Sequence, residues 1–265
     1  MEKIILHALV VIITINFLSN AHGDNQNLKW FSKTTNIYVL HYTENNSGLV
    51  DELASYIDKG IETIEKYFGE PFVKKFHVYV FPSRQSLEKQ WSKDWGIQNF
   101  KSECWMVASG VANRLDLLSP AAWKTEACEH NSENNEHVQK LITHELVHVY
   151  HGQHNPVPDF AGMDDLGWFV EGIAVLVSGQ LDSTRTNQLI EAKEQNKLPA
   201  HLKNAWSGKY RYTVCGSIAD FIARKYGRKV VLHLLECSNE EQVMKLLETN
   251  EAELLSDWTH GIVLH

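Results

Sequence analysis

The chain has 265 residues, a net charge of −8 and 43% hydrophobic residues. This length and composition are typical of a globular protein that buries a sizeable core. The acidic balance argues against a nucleic-acid-binding protein, which needs a basic face, and against electrostatic docking on an anionic membrane.

The first segment, 1–23, has the pattern of a cleaved secretory signal. Lys3 supplies a short charged start, 4–17 is an almost unbroken apolar run, and the small residues Ala21 and Gly23 precede the expected cut. The run is shorter than the roughly 20 residues that a bilayer requires. We therefore expect a secreted or periplasmic protein with no membrane span in its mature chain.

The strands are predicted in the first half of the chain, together with two helices. Strands are predicted where β-branched and aromatic residues cluster between turn residues, at 36–42, 75–81, 104–112 and 114–118. Helices are predicted where apolar residues recur at helical spacing, over 49–68 before Gly69 and over 83–93 with Ser83 as the cap.

From residue 134 onward the pattern is helical, with Asn134 or Asn135 available to cap the first helix. Strands followed by helices indicate an α+β fold. We expect a single domain over 24–265, made of a sheet-containing part, 24–133, and a mostly helical part, 134–265.

Four cysteines are expected to form disulfides, because an exported chain meets an oxidising compartment. Sequence alone allows three connectivities. The sequential pairing, Cys104–Cys128 with Cys215–Cys237, is the simplest and leaves no free thiol. No CxxC spacing occurs, so a cysteine-based zinc site is not expected.

The chemistry is concentrated in an HExxH sequence, His144 to His148, inside the helix predicted over 138–152. Residues at positions i and i+4 of a helix lie on the same face, so the two imidazoles can bind one metal ion. Glu145 lies beside that face, where it can take a proton from water without being a ligand.

A third ligand is needed, and two residues compete for the role. His154 is spaced as in the HExxHxxGxxH metalloproteases, but their hinge glycine is replaced by His151 and the glycine follows as Gly152. Glu171 is an isolated acid in the apolar helix predicted over 166–179, where a cation is its best partner. Glu171 is favoured. We expect the other histidines to be surface residues or residues whose ring nitrogens are satisfied by hydrogen bonds.

The sequence from His144 to His148, followed by Trp168-Phe-Val-Glu-Gly-Ile-Ala174, resembles the gluzincin metallopeptidases. The gap between the two motifs is a few residues longer than the commonest gap in that clan. Over about 30–258 the chain is similar to small exported proteins described as peptidase-MA-like. The resemblance implies a zincin fold with an edge strand over the cleft, but it does not define a substrate.

The resemblance also suggests that Tyr212 stabilises the oxyanion, since related gluzincins use a Tyr or His from their C-terminal helices. Tyr210, Arg211 and Tyr226 remain alternatives. The backbone of 110–113 could pair with an extended peptide.

These observations predict an exported zinc metallopeptidase that acts on a peptide or protein substrate. One Zn²⁺ on His144, His148 and Glu171 would polarise a peptide carbonyl and a water molecule, and Glu145 would serve as the general base. Two alternatives stay open. One is a secreted zinc-binding or peptide-binding module without turnover, and the other is a metzincin-like peptidase with His154 as the third ligand.

Overall fold

A computed structural model describes residues 28–262, so the expected signal, 1–23, lies outside the described residues. Five strands form one sheet: β1 (Trp30–Thr34), β2 (Tyr38–Thr43), β3 (Phe76–Phe81), β4 (Ala108–Val111) and β5 (Arg114–Leu118). Their order is β1-β2-β3-β5-β4. The three central strands are parallel, while β1 and β4 are antiparallel edge strands.

Ten α-helices surround or follow this sheet in the described part of the chain. They are α1 (Val50–Phe68), α2 (Arg84–Asp94), α3 (Pro120–Glu126), α4 (Asn135–His154), α5 (Gly167–Val177), α6 (Ser183–Glu194), α7 (Arg211–Tyr226), α8 (Arg228–Leu234), α9 (Glu240–Leu246) and α10 (Glu251–Gly261). Within 28–262, no helix is both long and apolar enough to span a membrane.

The α+β fold predicted from the sequence is confirmed. Three helix ends also fall where the sequence predicts them. Ser83 caps α2, Asn134 caps α4 by accepting a hydrogen bond from the backbone N–H of His137, and Gly69 ends α1 in the left-handed conformation with φ 80°. These ends depend on local chemistry alone, which is why they could be predicted.

Helices α1 and α4 lie side by side against the sheet. Gly60 of α1 permits a close approach, because an added Cβ would lie 2.6 Å from Leu146 of α4. Helix α5 packs on α4, and α7 packs on α5. The apolar helix α5 therefore lies between α4 and α7, and its packing holds α7 close to the HExxH helix, α4.

Two predictions of local structure are incomplete. The sequence pattern missed β1, a short edge strand with three exposed residues out of five, and α3, which begins at Pro120. The strand predicted over 104–112 is confined to β4, because Cys104 and Trp105 form a turn beside a disulfide. The disulfide and its turn take the place of the first half of that strand.

The cysteine pairing is correct for one bridge and wrong for the other. Cys104 and Cys128 form a disulfide, whereas Cys215 and Cys237 are buried free thiols. Cys215 is enclosed where α7 packs on α5, and its carbonyl oxygen lies against Gly172. Cys237 follows α8, and its carbonyl oxygen accepts a hydrogen bond from Asn155. The two residues pack against different neighbours, so they do not form a disulfide with each other.

Candidate metal centre

The first two donors come from one face of α4. The side chains of His144 and His148 are one helical turn apart and buried, and their Nε2 atoms are 3.2 Å apart. Helical spacing predicts this pairing. Burial of α4 between the sheet and α5 removes both imidazoles from bulk water.

The third donor comes from α5. One carboxylate oxygen of Glu171 lies 3.3 Å from Nε2 of His144, and the other lies 3.7 Å from Nε2 of His148. A tetrahedral ion with bonds of about 2.0–2.1 Å separates its ligand atoms by about 3.3 Å. The three donors are therefore spaced to share one ion, and in the described chain they form a group that could hold a metal ion.

The tautomer of His144 is set by a residue that the sequence did not reveal. Nδ1 of His144 lies 3.1 Å from the side-chain oxygen of Gln180, which follows α5. Because that oxygen can only accept, Nδ1 carries the proton and Nε2 is left to face the other donors. On the other imidazole, the ring of Phe160 packs edge-on against His148.

The electrostatics of the three donors favour a bound cation. Burial lowers the pKa of His148 to about 4, so this imidazole is neutral. Burial opposes charge on Glu171, but the two neighbouring imidazoles outweigh it and hold the pKa of this carboxyl below its usual range. Burial also opposes charge on His144, yet its contact with Glu171 raises the pKa of His144. A metal ion bound here would compete with protons for the same donor atoms.

Glu145 lies on the same helix but is not one of the three donors. Its carboxyl lines the cleft beside them. Burial raises the pKa of Glu145 to about 7, and the nearby Glu171 acts in the same direction, while His144 and a backbone hydrogen bond from Gly110 oppose the rise. A carboxyl so placed can exchange a proton with a molecule in the cleft.

The alternative ligand, His154, is not brought to this group. Helix α4 continues through Gly152 to His154 without the hinge that the competing motif requires. The ring of His154 packs on Tyr150 and its Nδ1 lies 2.9 Å from the Tyr150 backbone oxygen. Gly152 serves packing instead, since an added Cβ would lie 2.7 Å from the backbone nitrogen of Ala112.

Tyr212 stands in the first turn of α7, with its ring 6.2 Å from the ring of His144. Of the alternatives, Arg211 also lines the cleft, whereas Tyr210 and Tyr226 do not. The hydroxyl of Tyr210 is directed to Gln195, and Tyr226 ends the helix at its far side. Burial raises the pKa of Tyr212 above its usual value, so its hydroxyl is a neutral donor.

The group formed by His144, His148 and Glu171, called here the metal group, opens into a cleft of about 640 Å³. Strand β4 forms one wall, and within the described sheet it is paired only with β5. Gly110 brings this strand onto α4, because an added Cβ would overlap the carbonyl oxygen of Glu145. An edge strand therefore runs beside the donors, the arrangement that the resemblance implied.

Several cleft residues were missed by the sequence pattern. The sequence predicts that His130 and His137 are surface or satisfied residues. In the structure their rings contact each other, with Nδ1 of His130 and Nε2 of His137 3.2 Å apart, and both line the cleft. Gln180 and Arg185 line it as well. No local pattern could have identified them, since each is brought to the cleft by packing between elements distant in sequence.

Neither the scan against protein-family models nor the search of the curated proteins returns a match for this chain.

Proposed function

We propose that this chain is an exported zinc metallopeptidase. The observation that carries the proposal is the group formed by His144, His148 and Glu171, whose donor atoms are 3.2–3.7 Å apart, beside a carboxyl that is not a donor, Glu145. Two imidazoles and one carboxylate suit zinc, whereas calcium and magnesium prefer sites made wholly of oxygen. A site that only stored metal would not need the additional acid.

Zinc bound there would supply a Lewis acid that polarises a peptide carbonyl and acidifies water. Glu145 is placed to take a proton from that water and to return it to the departing amine. Tyr212 is placed to donate a hydrogen bond to the carbonyl oxygen as negative charge develops on it. Each role uses a group that lines the cleft.

The substrate would be an extended peptide. Within the described sheet, β4 has a partner strand on one side only, and its residues line the cleft. An extended chain can bind such an edge through main-chain hydrogen bonds. Gly110 supports this role, because the missing side chain lets the strand run close to Glu145.

Export is part of the same proposal. The Cys104–Cys128 disulfide is the kind of bond that persists in an oxidising compartment, which agrees with the secretory pattern of 1–23. We likewise propose that the chain is a gluzincin, because the helix with the HExxH sequence is followed by a helix that supplies Glu171.

The test compares wild type with Glu145→Gln in zinc content and in cleavage of a peptide library. We expect about one zinc per chain in both proteins and a loss of cleavage of about 10²- to 10⁴-fold in the variant, since it loses a base but no ligand. Glu136→Gln is the matched control, because Glu136 lies on the same helix but is exposed and paired with Lys140.

If Glu145→Gln cleaves peptides at the wild-type rate, the mechanism is refuted. Zinc binding without cleavage by either protein would favour the module without turnover. Absence of zinc from wild type would refute the site itself.

A further inference from the structure

Two arginines line the cleft near the metal group. Arg185 is in the first turn of α6, and Arg211 begins α7. Their guanidinium carbons lie 5.2 and 5.1 Å from the ring centre of Tyr212. Because that ring itself contacts His144, both cations flank the wall of the cleft closest to the donors.

Neither guanidinium forms an ion pair with a carboxylate of residues 28–262. The nearest acid along α6, Asp182, caps the helix through the backbone of Arg185 and pairs with Lys140. The Nε of Arg211 is buried and has no hydrogen-bond partner in the described chain. By contrast, Arg224, on the outer part of α7, is paired with Asp220.

Aromatic rings surround Arg211, and its side chain also hydrogen-bonds to that of Tyr212. Its guanidinium carbon lies 4.9 Å from the ring centre of Trp105 and 5.5 Å from that of Trp206, in addition to the contact with Tyr212. Cation–π contacts of this kind use the faces of the planar cation, so the unpartnered Nε of Arg211 stays available in its plane. A planar anion is the ligand that fits such a cation.

Two half-buried positive charges that face the same ring repel each other and have lost part of their hydration. An anion between them would offset both costs. Carboxylates match the guanidinium in shape and can accept two parallel hydrogen bonds. Among the acids that line the cleft, Glu171 interacts electrostatically with Arg211 but contacts the imidazoles of His144 and His148. Glu129 and Asp159 are exposed to solvent, and no acid of the described residues forms an ion pair with either arginine.

We propose that Arg185 and Arg211 form a carboxylate subsite, so that the cleft selects peptides with a negative charge close to the bond that is cut. This inference rests on the proposed peptidase function. The carboxylate could be the C-terminus of the peptide or the side chain of an acidic residue. Both present the same group, and the proximity of Tyr212 to His144 places it within a few residues of the metal.

The experiment measures binding by calorimetry to zinc-loaded Glu145→Gln, in which peptides remain intact. The probes are an acetylated penta-alanine peptide with a free C-terminus, the same peptide amidated, and an amidated pair with glutamate or glutamine at the centre. We expect at least one charged peptide to bind about 10- to 100-fold tighter than its neutral partner. A preference for the free C-terminus would indicate a carboxypeptidase-type subsite, and a preference for glutamate would indicate acidic side-chain specificity.

Adding Arg185→Gln or Arg211→Gln should abolish that preference, while Arg224→Gln should preserve it. Zinc content and thermal unfolding of each variant show whether it is folded. If Arg211→Gln is unfolded, Arg185→Gln alone decides the outcome.

Equal binding of charged and neutral peptides, including no binding of any, would overturn the subsite. The subsite would also be overturned if both arginine variants still preferred charged over neutral peptides. Failure of wild type to cleave peptides would refute the peptidase but leave this binding result intact.

Discussion

Gly110 controls how closely β4 approaches the HExxH helix, so Gly110→Ala should separate the two. The added Cβ would overlap the carbonyl oxygen of Glu145 and lie 3.1 Å from Cβ of His148. Both obstacles belong to α4, and one of them is backbone that cannot rotate away. We expect the strand to withdraw by roughly 1 Å to restore ordinary contact distances.

That displacement should affect both stability and the site. Overpacking of this kind costs about 1–3 kcal/mol in the free energy of unfolding. A shift of about 1 Å in a substrate-binding strand can reduce catalysis by about 10²-fold. Gly110→Ala should therefore unfold at lower urea concentration and cleave more slowly while retaining zinc, because no donor atom moves.

Urea unfolding followed by circular dichroism, with zinc content measured in parallel, tests this expectation. Gly48→Ala is the matched control, because no neighbouring atom of residues 28–262 lies within 4 Å of its added Cβ. Equal unfolding midpoints for Gly110→Ala and wild type would refute the close packing of β4 on α4.

Three further predictions concern other parts of the chain. Tyr212→Phe should keep zinc and fold but lower kcat by about 10²- to 10³-fold; an unchanged kcat would reduce Tyr212 to a packing residue. Burial raises the pKa of Asp116 from 3.8 to about 6, so the folded chain holds this proton more tightly than the unfolded chain. Stability should therefore fall by about 1–3 kcal/mol as pH rises from about 4 to about 6 and stay level above that, and Asp116→Asn should remove this decrease; equal pH profiles in urea unfolding would contradict the argument. Cys215 and Cys237 should supply two thiols that react only in denaturant, because burial raises the pKa of both; a count of none or four would show that the pairing is wrong.

Much of the metal group could be predicted because its information is local. Helical spacing places His144 and His148 on one face, and an acid isolated in an apolar helix, Glu171, needs a buried partner. Helix caps such as Ser83 are equally local.

The rest depends on contacts between distant elements. Gln180 reaches His144 only because α5 packs on α4, and Arg185 meets Tyr212 across two helices. Cys215 was expected to pair because of the compartment, yet packing against α5 keeps it a thiol. Contacts of this kind produce no periodic pattern of residues in a single sequence.

The most direct test of the metal centre is anomalous diffraction at the zinc edge from crystals of the mature protein grown with zinc. We expect one peak within about 2.0–2.2 Å of Nε2 of His144, Nε2 of His148 and a carboxylate oxygen of Glu171. A peak bound by His154 instead, or no peak at these donors, would contradict the proposed centre.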